Sequence, residues 1–80
     1  MSFPVYVEYS FEMSPQLPVS EMLMAYLADY GFESFMENDI GFSAYIPESQ
    51  LDEKTVKELI FSLTKDVKIS WAVKKIPPVN

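Results

Sequence analysis

The apolar residues of this chain change their spacing four times, and that rhythm limits the folds open to it. Phe3, Val5, Val7, Tyr9 and Phe11 alternate with Pro4, Tyr6, Glu8 and Ser10, the two-residue period of a strand with one buried face. Ser14-Pro15-Gln16-Leu17-Pro18 breaks the run, because proline removes a backbone donor and turns its neighbour away from helix. From Val19 the spacing becomes three and four: Val19, Met22, Leu23, Tyr26, Leu27 and Tyr30 form one stripe of a helix predicted over Ser20 to Tyr30. Ser20 is its expected N-cap, Glu21 suits the positive end of the helix dipole, and Gly31 supplies the left-handed residue that stops it. Met24 falls off this stripe.

Glu33 to Glu37 and Phe42 to Ile46 are short strand-like runs separated by Asn38-Asp39-Ile40-Gly41, residue types that tolerate a reversal, so they predict a hairpin that Pro47 ends. A second helix is predicted over Asp52 to Lys65 on the stripe Val56, Leu59, Ile60 and Leu63, which leaves Phe61 outside it. Its start is marked either by a capping box from Ser49 to Asp52 or by Asp52 itself as the cap. Val67, Ile69, Trp71 and Val73 then alternate with Lys68, Ser70, Ala72 and Lys74 as a last strand, which stops before Pro77-Pro78. The order strand, helix, strand, strand, helix, strand is the split βαβ of a ferredoxin-like α+β sandwich. Right-handed crossovers place both helices on one face of a four-stranded antiparallel sheet, with the first and third strands central. Eighty residues allow one such core, burying about 60% of the unfolded chain's surface.

Chemistry is bounded by what the chain lacks. It has no cysteine and no histidine, which excludes disulfides, thiolate metal sites, cysteine nucleophiles and imidazole base catalysis, and argues against catalysis by this chain alone. The formal net charge is −6, and every basic residue is a lysine. Residues 1–53 carry ten acids and no base, whereas all six lysines, from Lys54 to Lys75, follow. An acidic domain without a guanidinium fork is poorly equipped for phosphate backbones, so no direct nucleic-acid binding is expected. The same charge suits a basic protein partner, or simply keeps a small domain in solution. No run approaches the roughly 20 apolar residues that cross a bilayer, and no charged segment leads into an apolar one at the N-terminus. A cytoplasmic protein without a membrane partner is expected.

The parity of the strands leaves one sheet face uncovered. It should carry Tyr6, Glu8 and Ser10 from the first strand, Ser43 and Tyr45 from the third, and Ser70, Ala72 and Lys74 from the fourth. Tyr6, Glu8, Tyr45 and Ser70 are the candidate partner-binding residues. Tyr6 and Tyr45 have a plainer reading as a cross-strand pair that stabilises the sheet by up to about 1 kcal/mol. RNA-recognition modules put stacking aromatics on these two strands, but the acids here oppose phosphate. Off the helical stripes, Met24 and Phe61 are candidate exposed contacts, and Glu37 with Asp39 is either a solvated turn or a weak cation site.

Three segments resemble a known family. Tyr6-Val7-Glu8-Tyr9-Ser10-Phe11, then Leu27-Ala28-Asp29-Tyr30-Gly31-Phe32-Glu33-Ser34-Phe35, then Gly41-Phe42-Ser43-Ala44-Tyr45-Ile46-Pro47 are similar to the N-terminal domain of the ribosomal protein L11 methyltransferase (PrmA) family, in the form common among Bacteroidetes. The likeness continues through Val67-Lys68-Ile69-Ser70-Trp71 and covers nearly the whole chain. It implies a ferredoxin-like domain that recognises a ribosomal protein at the base of the large-subunit stalk. In the family a linker joins that domain to a Rossmann-like domain that transfers methyl groups from S-adenosylmethionine. Residues 1–76 would be the recognition domain and 77–80 the start of the linker, with the catalytic domain absent from this chain. Its two glycines, Gly31 and Gly41, lie far apart, so no glycine-rich cofactor loop is present and no cofactor is expected in the chain itself. Ile76-Pro77-Pro78-Val79-Asn80 departs from the acidic stretch and Asn-Trp segment usual in the family. Two other readings are a self-associating regulatory or ligand-sensing module, since such domains pair through open faces or edge strands, and an independent RNA binder.

Overall fold

Alternation sorts each strand's side chains into two sets, and pairing the strands edge to edge puts all the apolar sets on one side. The computed structural model describes residues 5–64 and 67–78. Its elements are β1 (Tyr6–Ser14), α1 (Val19–Asp29), β2 (Ser34–Glu37), β3 (Gly41–Pro47), a 3-10 turn (Glu48–Gln50), α2 (Glu53–Leu63) and β4 (Lys68–Ile76). The strands form one sheet in the order β2-β3-β1-β4, every neighbouring pair antiparallel, so β1 and β3 are central as expected. Val7, Tyr9, Phe11 and Met13 of β1 join Phe42, Ala44 and Ile46 of β3 in one buried cluster with Leu23 and Leu27 of α1 and Val56 and Ile60 of α2. This is the α+β, ferredoxin-like arrangement read from the periods.

The aromatic residues give that core its layers. Tyr9 stacks along β1 on Phe11 at 5.8 Å between centroids, Phe11 meets Phe42 of the paired strand at 5.0 Å, and Phe32 sits edge-on to Tyr9 at 5.7 Å. Phe32 reaches this position through the end of α1. The N–H of Phe32 bonds the Leu27 carbonyl and that of Gly31 bonds the Ala28 carbonyl, the paired bonds of a Schellman stop. Gly31 has φ +102°, so it is the left-handed residue the sequence marked.

Two expectations for α1 need correction. The helix starts at Val19 with Pro18 in the cap position and no side-chain cap bond; Ser20 lies inside the first turn, buried, with its N–H bonded to the Gln16 carbonyl. The stripe is also rotated. Val19, Ser20, Leu23 and Leu27 face the sheet and Met24 packs against the core, while Met22, Tyr26 and Tyr30 are nearly half exposed. The apolar arc of the helix is wider than the groove the sheet offers it. The small Ser20 lets the helix lie close on that side, and the two phenols stay where their hydroxyls meet water. Met24 is therefore a core residue rather than a surface contact.

For α2 the open choice resolves to Asp52, which accepts from the Thr55 N–H at 3.3 Å and the Thr55 hydroxyl at 2.9 Å. These bonds to Thr55 hold the Asp52 carboxyl below its ordinary range. Its contribution is thus present above the unfolded value and fades as pH falls through the lower folded one. Phe61 is exposed, as its place off the stripe suggested. The predicted end of this helix at Lys65, and Phe3 and Pro4 of the predicted first strand, lie outside the described residues.

The β2–β3 reversal is closed by Asn38, whose Oδ1 accepts from the N–H groups of Ile40 at 3.0 Å and Gly41 at 2.9 Å. Gly41 faces Glu12 on β1 so closely that a Cβ there would sit 1.9 Å from the Phe11 carbonyl oxygen. Gly41→Ala should therefore force the central strands apart and cost about 1–3 kcal/mol of unfolding free energy in urea titration. The rotation of α1 makes a second prediction. Leu27→Ala should cost about 2–5 kcal/mol, whereas Met22→Ala should cost under about 1 kcal/mol. Equal losses would contradict the observed helix orientation.

Candidate functional site on the open sheet face

The face of the sheet opposite the helices carries the residues that parity assigned to it. Register sets Glu8 of β1 between Tyr45 of β3 and Lys74 of β4, Ser10 between Ser43 and Ala72, and Tyr6 between Pro47 and Ile76. Ser34 and Met36 extend this face onto β2, opposite Tyr45 and Ser43. Tyr6, Glu8 and Tyr45 are each half-buried by their strand neighbours.

The two tyrosines are not a directly opposed pair. Tyr45 faces Glu8 across the β1–β3 ladder, and Tyr6 faces Pro47. Each phenol instead donates to a carboxylate: Tyr45 to Glu8 Oε2 at 2.7 Å, and Tyr6 to Glu33 Oε1 at 2.6 Å. Distances this short belong to charge-assisted bonds. The Tyr6 phenol spans β3 to reach Glu33, which is itself placed by its N–H bond to the Tyr45 carbonyl at 2.9 Å. Glu33 is thus a site residue that the sequence reading treated only as the start of a strand. Tyr6, Glu33, Ser34, Tyr45 and Ile76 line a shallow concavity of about 530 Å³.

Ser70, the fourth candidate, stands elsewhere. It faces Glu12, six residues along β1 from Tyr6, or about 20 Å at the rise of a strand. There it lines a second shallow concavity, of about 570 Å³, with Glu12, Met13, Ser14, Ile40 and Lys68. The structure therefore brings together Tyr6, Glu8 and Tyr45, adds Glu33, and leaves Ser70 at the far end of the same face. Glu37 and Asp39 are both exposed in the hairpin. Among the described residues no group of three or more acids is placed to hold a metal ion.

Electrostatics divide the face. Its β1 side carries Glu8 and Glu12, with Glu33 just before β2, while β4 carries Lys68 and Lys74. Lys75, on the other side of β4, is paired with Glu48 at 2.8 Å on the surface, where such a bridge adds little stability. Each carboxylate of the tyrosine pairs has accepted one phenolic hydrogen on one oxygen, and its second oxygen makes no bond to the protein among the described residues. A carboxylate has about four lone-pair sites, so the geometry leaves acceptors ready beside two aromatic rings. That is the chemistry of a surface for positively charged groups.

The chain is thus a small α+β, ferredoxin-like domain whose open sheet face carries an acidic, tyrosine-bearing platform. Relatives make it more particular. The chain is 43% identical over 56 residues to a ribosomal protein L11 methyltransferase of Bacteroides thetaiotaomicron, a match covering 69% of this chain and 20% of that protein. It is 40% identical over 68 residues to the same enzyme of Bacteroides fragilis, covering 82% of this chain and 24% of the relative. Against that of Phocaeicola vulgatus it is 31% identical over 77 residues, covering 94% and 27%. No protein-family model matches the chain, and neither does any solved structure. The chain belongs to the ribosomal protein L11 methyltransferase family, and it spans between a fifth and just over a quarter of the length of these relatives.

The hydrogen bonds from Tyr6 to Glu33 and from Tyr45 to Glu8 are the main reason that both phenols titrate above the ordinary value of 10.0. Because the folded values are raised, these bonds contribute fully below the unfolded tyrosine range and are lost as pH rises through the folded values. Burial raises the Tyr9 phenol too, so near-ultraviolet absorbance should show three late-ionising phenols, of which one is lost in Tyr6→Phe and another in Tyr45→Phe. Glu33→Ala, which removes both the acceptor and its charge, should bring the Tyr6 ionisation back toward 10.0.

Proposed function

We propose that this chain is the substrate-recognition domain of an S-adenosylmethionine-dependent ribosomal protein methyltransferase, that it docks ribosomal protein L11 on its open sheet face, and that it performs no methyl transfer by itself. The observation that carries the reading is the pairing of two phenols with two carboxylates at one end of an uncovered sheet, in a chain that matches only part of a methyltransferase. Residues 1–76 form the recognition domain, and 77–80 begin the linker to a catalytic domain that would bind S-adenosylmethionine. Tyr6, Glu8 and Tyr45 supply the contacts at one end of the face and Ser70 at the other. Ribosomal proteins are generally basic, so opposite fields raise the rate of encounter, and a linker then keeps the captured substrate at high local concentration near the active site.

The competing reading is a self-associating regulatory or ligand-sensing module that pairs through its open face or an edge strand, and the edge route is disfavoured by the edge itself. β4 is the long outer strand, and it carries Lys68, Lys74 and Lys75. Charged lysines along an edge are a standard obstacle to pairing with a second copy. The unpaired edge of β2 spans only four residues.

Calorimetric titration of the 80-residue chain checks the reading. Ribosomal protein L11 should bind with an affinity that weakens as salt is raised, and S-adenosylmethionine should give no heat. Cofactor binding without binding of the ribosomal protein would refute the assignment. Sedimentation at the same concentration should show a monomer.

A further inference from the structure

We propose that the concavity between Tyr6 and Tyr45 is a seat for one cationic side chain, a lysine or arginine projecting from a basic protein segment laid across the sheet. This deepens the docking role and rests on the reading of the open face as a protein-binding surface.

Three observations lead to it. The concavity is floored by two half-buried phenol rings and edged by Ile76, so a long aliphatic stem has apolar surface to lie on. Glu33 stands at its rim and Glu8 beside Tyr45, each tied to a phenol and each with one oxygen that bonds nothing in the protein among the described residues. An ammonium or guanidinium placed there gains a charge-assisted hydrogen bond from the Glu33 carboxylate already held in place, feels the negative charge of Glu8 beside Tyr45, and approaches the electron-rich faces of the rings. Because the tyrosines immobilise the carboxylates before binding, less side-chain entropy is lost on association.

Charge complementarity selects the occupant. The first 53 residues hold ten acids and no base, and the strands that form this end of the face, except for β4, all come from them. A metal ion is a poorer fit, since it would need a fuller set of acidic or imidazole ligands than two carboxylates. Lys74, opposite Glu8, sets the limit of the seat on the β4 side, because a second cation there would be repelled.

The test uses the intact 80-residue chain. Tri-lysine and tri-arginine peptides are titrated in nuclear magnetic resonance, with lysine-acetylated tri-lysine as the uncharged control. Shifts should concentrate at Tyr6, Glu8, Glu33, Ser34 and Tyr45, vanish with the acetylated peptide, and weaken about five- to tenfold in affinity in the Glu8→Gln/Glu33→Gln double variant. Glutamine retains an acceptor for each phenol, and circular dichroism verifies the fold of the variant. Shifts located elsewhere, or unaltered by the double variant, overturn the seat. The tri-lysine and tri-arginine arms show which head group it prefers.

Titration with ribosomal protein L11 separates this proposal from the reading beneath it. Loss of affinity in the double variant supports both. Undiminished binding overturns the seat and leaves the recognition role standing. Absence of binding by the unaltered chain, with the peptides still seated between the tyrosines, supports the seat and removes the recognition role.

Discussion

β1 is hydrogen-bonded along both of its edges, and its register decides what each side of the sheet can do. With β3 on one side and β4 on the other, Val7, Tyr9, Phe11 and Met13 are held under the helices, and Tyr6, Glu8, Ser10 and Glu12 are held away from them. A slip of one residue would exchange the two sets, putting Glu8 and Glu12 into the core and four large apolar side chains into water. The penalty for burying an unpaired carboxylate alone makes such a state inaccessible. Core formation and display of the candidate site are therefore one event. The apolar residues of β1 fix its register, and the register sets Glu8 opposite Tyr45.

Close packing at Gly41 and the stop at Gly31 refine that arrangement from either end. Gly41 lets the β2–β3 turn press onto β1, where the Met13 N–H reaches the Ile40 carbonyl at 3.0 Å. Gly31 turns the chain out of α1 so that Phe32 enters the core and the next residue, Glu33, emerges on the open side. Residues 32 and 33 precede β2, and the turn that buries Phe32 is the one that presents Glu33 to Tyr6. A substitution that disturbed the helix stop would move the carboxylate as well as the ring, which couples packing to the electrostatics of the face.

Much of this was legible in the residues, and the exceptions have physical reasons. The alternating runs gave the strands, and the crossover rule placed β1 and β3 at the centre, because burial of one face is a local pattern that long-range pairing must respect. Tyr6, Glu8 and Tyr45 were assigned to the uncovered face by the same parity. The rotation of α1 was not legible, since a helix with Val19, Ser20, Met22, Leu23, Met24, Tyr26 and Leu27 offers several overlapping stripes. Which one is buried depends on the width of the groove beneath it. Ser20 looked like a cap because its residue type favours caps, yet the Gln16 carbonyl engages its N–H and draws the helix start forward. Glu33 was missed because its partner lies 27 residues away on a strand that is not its neighbour. A glutamate directly before a strand, following a glycine stop and a buried aromatic, was the available signal.

Stability does not explain why two phenols should each hold a carboxylate at the same end of the sheet. Both bonds lie at or near the surface, where exchange with water leaves little net gain, and the core beneath is complete without them. Solubility would be served as well by unrestrained acids, such as Glu37 and Asp39, which are free in solvent. What the bonds do achieve is fixed geometry: two acceptor oxygens held beside two rings, on a rigid sheet rather than a loop. Preorganisation of that kind costs side-chain entropy in the free protein and returns it only when something binds. That cost is the one the proposed docking surface would recover, and the sign of the charge suits the basic partner proposed for it.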